Sequence, residues 1–247
     1  MTNQTKESYD ELEGRRHARI RRQKQKKQKK RRRIIYIVVR VFILTIALAG
    51  IAWGISLLFF KKYVDLKRVT MPDWVEEDYI EPNPYSRPGR EMKRADGIVV
   101  HYVANPGTTA KQNLNYFDSL KNQTGDKKIS ASSHFMIGLE GEILQGIPIY
   151  EVAYATSKEK NMDTVSIECC HPDETGKFND ETYDSLVKLT AWLCRNLGLT
   201  EKDVIRHYDA TGKDCPRYFV AHEDAWKKFL SDVKAARKLP DEGKNLQ

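Results

Sequence analysis

The stretch RHYDATGKDCP, residues 206–216, places a histidine, a lysine and a cysteine close together in a polar run that needs no thiol for packing. Imidazole and thiolate are the donors that zinc prefers, in a tetrahedral arrangement. Beyond the apolar N-terminal region the histidines and cysteines are His101, His134, His171, His207, His222, Cys169, Cys170, Cys194 and Cys215. Of these, His101 ends the apolar run IVV and His207 follows VIR. Side chains at the ends of neighbouring strands can converge. The chain from His207 passes through Gly212 to Cys215, and Pro216 then stiffens the backbone just after the thiol. His101, His207 and Cys215 would supply three ligands and leave a fourth position free. Each has an ordinary alternative. A lone strand-end histidine can simply bond the backbone, and a lone cysteine outside the cell can be half of a disulfide. Spacing alone leaves both readings open.

The elements that must position these residues alternate in type. GIVVHYV (97–103) reads as a buried strand. TAKQNLNYFDSLKNQ (109–123) has helical spacing at Leu114, Phe117 and Leu120. SSHFMIGL (132–139) and EGEILQGIPI (140–149) read as two strands joined by a Glu-Gly turn. TVSIECC (164–170) is a further strand, and residues 179–199 form the clearest helix, capped by Asn179 or Asp180 and ended by Gly198. DVIRHYD (203–209) is a short strand entering a loop, and residues 221–236 form a last helix. The expected fold class is α/β, with a single mixed β-sheet flanked by helices.

These segments resemble the zinc-dependent N-acetylmuramoyl-L-alanine amidases of the type-2 amidase family, which share a fold with amidase-type phage lysozymes and peptidoglycan recognition proteins. The resemblance rests on IVVHY with His101, SSHFMIGLEGEILQGIPI, NMDTVSIE with Glu168, and RHYDATGKDCP with His207, Lys213 and Cys215. It covers about residues 95–230. It implies one zinc ion per chain on His101, His207 and Cys215, and cleavage of the amide between N-acetylmuramic acid and L-alanine. Glu168 is then the general base. Lys213, while protonated, helps to stabilise the oxyanion.

Three features depart from the family pattern. Ser133 stands where phage-type enzymes often carry a tyrosine. Tyr154 stands where a histidine is common after the hairpin. Glu168 together with a cysteine ligand mixes two branches. Ser133, His134 and Tyr154 are candidates for contact with substrate, His134 being equally a residue that supports the site from behind and Tyr154 a packed aromatic. His171 reads as a loop histidine. Cys169 and Cys194 form either a sheet-to-helix disulfide or two buried thiols.

Charge divides the chain. Residues 1–33 hold fourteen Lys and Arg against four Asp and Glu, whereas residues 61–247 hold twenty-seven against thirty. The overall charge of +8 therefore describes only the N-terminal segment. Residues 34–60 contain one charge, Arg40, and are long enough to cross a bilayer as a helix. Thirteen Lys and Arg between Arg15 and Arg33 place the N-terminus in the cytoplasm by the positive-inside rule. The expected organisation is a basic cytoplasmic tail (1–33), a transmembrane helix (34–60), a linker or stalk (61–94), the zinc amidase domain (95–236) and a polar tail (237–247). The expected location is the cell membrane, with the domain outside facing the wall. The expected partners are peptidoglycan and the membrane. Nucleic acid is not among them, because the short basic tail lies across the membrane from the domain. A non-catalytic muropeptide-recognition module of the same fold is the alternative. Completeness of the ligand set, with Glu168 and Lys213 present, favours the enzyme.

Overall fold

The computed structural model describes residues 3–59 and 63–239. The last residue of the expected transmembrane segment, the first two of the expected linker and most of the expected polar tail lie outside the described residues. The chain divides into two units, residues 1–62 and 63–247.

The first unit is one helix, α1 (Asn3–Phe59), which runs without a break from the basic segment into the apolar one. It includes a stretch long and apolar enough to cross a membrane by length and composition.

Among the described residues the second unit holds six strands: β1 (Glu76–Glu77), β2 (Gly97–Tyr102), β3 (Phe135–Ile137), β4 (Ile143–Gln145), β5 (Thr164–Cys169) and β6 (Val204–Arg206). They form one sheet in the order β1-β4-β3-β5-β2-β6. Only the β3–β4 hairpin is antiparallel, so the sheet is mixed. The helices are α2 (Ala110–Ser119), α3 (Asp180–Leu197), α4 (His207–Thr211), α5 (Arg217–Ala221) and α6 (Glu223–Ala236).

Successive strand residues point to opposite faces, and the two faces bury different partners. Ile98, Val100, Phe135, Ile137, Val165 and Ile167 pack with Leu186, Leu189 and Phe229 of α3 and α6. Met136 on the other face packs with Leu114 and Phe117 of α2. Each fully buried side chain of this size contributes roughly 1.5–3 kcal/mol. Asn179 is the cap of α3, its side chain accepting from Thr182 N–H at 3.3 Å. Gly198 ends that helix at φ +67°, a left-handed position that costs glycine little.

Three expectations change. Residues 132–134 do not extend β3, because the His134 ring and backbone bond Ser166 of β5 instead of continuing a ladder. The expected strand over 203–209 stops at Arg206 and turns at once into α4, because the Asp209 carboxylate accepts from Arg206 N–H at 2.8 Å and caps the helix. Finally, the stretch expected as a linker belongs to the second unit from Tyr63 onward. Leu66, Val75, Ile80 and Met92 are buried in its cores, and β1 pairs with β4 at the sheet edge. These apolar residues are too widely spaced to form a periodic signal, so their burial is decided by the surface they meet.

Candidate metal centre and active site

Register brings the candidate residues level. β2 and β5 pair in parallel with His101 opposite Glu168, so both side chains leave the same face of the sheet, the α2 side. β6 pairs with β2 through Val100 and Arg206, which puts His207 at the height of His101 as the chain bends into α4. α4 lasts barely more than one turn. Gly212, at φ +79°, ends it and donates to Tyr208 O at 2.7 Å. The return is closed where Tyr208 N–H donates to Cys215 O at 2.9 Å. Arg206 holds this loop in place. Its guanidinium donates to Asp209, to Phe219 O at 2.9 Å and to Glu223 at 2.7 Å.

His101, His207 and Cys215 are buried, and their donor atoms lie within 4.8 Å of one another. The Nδ1 atoms of His101 and His207 are 3.0 Å apart, and Cys215 Sγ is 3.8 Å from His101 Nδ1. Tetrahedral zinc with ordinary bond lengths would need separations of about 3.3 Å between two nitrogens and about 3.6 Å between nitrogen and sulfur. The donor set fits such an ion, and the two separations that involve His101 lie within a few tenths of an ångström of those values.

Glu168 Oε1 stands 3.9 Å from His101 Nδ1, while Glu168 Oε2 is buried with no hydrogen-bond partner among the described residues. Burial pushes the Glu168 carboxyl up to about 8, with the Lys213 ammonium pulling the other way. Burial and then Lys213 hold the His207 imidazole down to about 4. Burial, His207 and Lys213 hold His101 well below its usual range. Both rings are thus neutral, the form in which imidazole offers a lone pair. Burial and Glu168 push the Cys215 thiol up to about 12, against a hydrogen bond from the Tyr102 backbone. A cation among these atoms would reverse the balance at the thiol. Lys213 is exposed, yet its charge is felt by both rings, the carboxyl and the thiol.

The three expected ligands and Glu168 therefore come together, with Lys213 beside them. Ser133 and His134 do not reach the surface of the site. Both are buried, Ser133 donating to Ser166 Oγ at 3.2 Å. His134 Nδ1 accepts from Ser166 N–H at 3.0 Å, so its Nε2–H donates to Glu151 O at 2.9 Å. Both of its nitrogens are used in joining β3, β5 and the strand-like segment at Glu151, which agrees with the supporting role among its two expected readings. Tyr154 is half-buried, its backbone bonded to Ser132 and its ring against the core. His171 is buried rather than a free loop residue. Its Nδ1–H donates to Asp173 O at 2.7 Å and its ring lies 5.1 Å from that of Tyr102. Cys169 and Cys194 are buried free thiols, with no disulfide.

Sequence reading missed Arg206 and Ser166. Arg206 had a visible partner in Asp209 three residues on, whereas nothing in the sequence links Ser166 to His134.

The N-acetylmuramoyl-L-alanine amidase family profile matches residues 91–218. The N-acetylmuramoyl-L-alanine amidase CwlL of Bacillus licheniformis is 31% identical over 170 residues, 64% of this chain and 46% of its own. The amidase BlyA of Bacillus subtilis (strain 168) is 29% identical over 177 residues, 64% of this chain and 46% of its own. The chain thus spans about half the length of these curated relatives. Among solved structures, PlyL superposes with a TM-score of 0.56 at 22% identity, covering 66% of this chain and 98% of PlyL, a likeness of fold.

Proposed function

This chain belongs to the N-acetylmuramoyl-L-alanine amidase family, and from that premise we propose that it is a membrane-anchored zinc hydrolase of peptidoglycan. It cleaves the amide between the lactyl group of N-acetylmuramic acid and the L-alanine of the stem peptide. The observation that carries this reading is the convergence of three buried residues' donor atoms within 4.8 Å, with a half-buried carboxylate 3.9 Å from one of them.

His101, His207 and Cys215 would hold the ion. A bound zinc supplies Lewis-acid polarisation and acidifies water toward a pKa of about 7. Glu168, raised by burial, is matched to neutral pH as a general base. It takes a proton from the attacking water and passes it to the leaving nitrogen. Oxygen is thereby added to the lactyl carbonyl carbon, the C–N bond breaks, and the alanine amine departs with the proton. Lys213 offsets the negative charge that develops on the carbonyl oxygen, provided that it stays protonated. His134 and Ser166 act from beneath, fixing β3 against the strand that carries Glu168.

The apolar part of α1 serves as a single-span anchor. Its basic flank, Arg15–Arg33, lies in the cytoplasm, and the second unit lies outside facing the wall. The charge asymmetry across the span supports that orientation.

The test combines metal analysis with purified peptidoglycan and mass spectrometry. About one zinc per chain, with release of peptides that begin with L-alanine and loss of both in Cys215→Ala, is expected. Zinc and muropeptide binding without release would replace the enzyme by a recognition module, and absence of zinc would remove the mechanism.

A further inference from the structure

We propose that a cleft at the end of β5 remote from Glu168 is a second binding site, for a carboxylate or phosphate group. The cleft has a volume of about 230 Å³ and is lined in part by Arg90, Ser130, Tyr154, Thr156, Lys158 and Asn161. A water molecule takes up roughly 30 Å³ in the liquid, so the space admits an anionic group together with the atoms that carry it.

Its lining has a consistent chemistry. Arg90 and Lys158 have no ion-pair partner among the described residues. The neighbouring cation Arg87 differs, being paired with Glu151 at 2.7 Å, so that acid is already neutralised. None of the acids adjacent in sequence, Glu91, Glu151, Glu159 and Asp163, lines the cleft, and Glu91 is paired with Lys67. Three hydroxyls and one amide complete a neutral, donor-rich wall. Thr156 lines the cleft, and its buried Oγ1 has no hydrogen-bond partner among the described residues, so that a rotation about χ1 would turn it toward a bound oxygen. Two unpaired cations facing hydroxyl donors suit an oxyanion.

The walls are also fixed in advance. Val152 N–H donates to Arg90 O at 2.8 Å. Asn161 Oδ1 accepts from Ala155 N–H at 3.2 Å and Thr156 N–H at 2.7 Å. Tyr154 N–H donates to Ser132 Oγ at 2.8 Å. The backbone of the walls is thus held in advance, and the ordering on binding falls to the exposed Arg90 and Lys158 side chains.

Asn161 and Met162 precede β5, whose residues Thr164 and Glu168 are four apart on one face. At about 3.3 Å per residue that end of β5 lies on the order of 13 Å along the strand from the carboxylate, and neither Glu168 nor a candidate ligand lines the cleft. It therefore touches no reacting atom. For a polymeric substrate it would anchor a distant acidic group and act on KM rather than kcat. That role as a substrate anchor rests on the amidase reading; binding of the anion does not.

The experiment uses the full chain in neutral detergent, titrated calorimetrically with inorganic phosphate and, separately, with glutarate. Saturable binding of one of them, weakened at least tenfold in the double variant Arg90→Gln/Lys158→Gln and also weakened in Thr156→Val, is expected. The anion that binds identifies the source, a phosphate-bearing wall polymer or a carboxylate of the peptide. Absence of binding by both, or equal binding in the double variant, overturns the site. On intact peptidoglycan the double variant should raise KM at least threefold with kcat unchanged, and an unchanged KM overturns the anchoring role. If the wild type releases no peptide, the amidase reading fails, while the titration still decides the site.

Discussion

Acid should loosen this fold through His134, at a position that touches neither candidate ligand nor carboxylate. The ring is buried, accepts a backbone N–H at Nδ1 and donates from Nε2. Protonating Nδ1 would turn an acceptor into a donor aimed at Ser166 N–H and would bury a charge. Burial accordingly lowers the His134 pKa from 6.5 to about 4. The unfolded chain then binds a proton below pH 6.5 that the native one refuses until about pH 4. Stability is therefore complete above the unfolded value and falls as the pH drops through the interval between the two. At about 1.4 kcal/mol per pKa unit, the loss approaches ~3 kcal/mol, a large share of a typical 5–15 kcal/mol. The assay is urea unfolding of residues 63–247, followed by tryptophan fluorescence between pH 7.5 and 4, for wild type and His134→Gln, both in chelator. His101 and His207 titrate alike in both proteins, so their share cancels in the difference. The variant should be less stable at pH 7.5 but show a shallower decline with acid. Equal slopes, or an imidazole resonance assigned to His134 that titrates near 6.5 in the folded protein, would refute the reasoning.

Three further outcomes are expected. Glu168→Gln keeps the shape of the site but removes the base, so kcat should fall by about 10²–10⁴ while zinc content, measured by mass spectrometry, stays the same. Cys215→Ser offers a poorer donor than thiolate and should lower zinc affinity by at least an order of magnitude in a competition with a chromogenic chelator. A fragment beginning at residue 95 lacks buried Leu66, Val75, Ile80 and Met92; at roughly 1.5–3 kcal/mol for each, it should not give a cooperative unfolding transition, whereas a fragment beginning at residue 63 should.

Much of the site was legible because its chemistry lies in residue types at strand ends. His101 ends a run of β-branched residues, and Glu168 sits among apolar neighbours where an acid without a purpose would be costly. The Lys213–Cys215–Pro216 spacing carried the family resemblance, which in turn singled out the ligand set. The same reading offered Ser133 for substrate contact and left His134 between substrate contact and support of the site, and the structure buries both. A polar residue before a strand looks alike whether it meets solvent or a partner from another strand. His134 meets Ser166, thirty-two residues away in the chain. The linker expectation failed for a related reason, since isolated apolar residues have no period, and only the core they dock on reveals their purpose.

The sequence by itself determined which side chains carry metal-donor atoms, the alternation that makes an α/β sheet, and the split between a basic apolar-flanked N-terminus and a mildly acidic remainder. These are properties of side chains and of local period, and they need no partner to be read. The tertiary structure alone decided that β2 and β5 align His101 with Glu168, that α4 swings Cys215 back to 3.8 Å from His101, and that Arg90 and Lys158 share one cleft. Register and loop closure depend on groups far apart along the chain, where sequence spacing carries no distance.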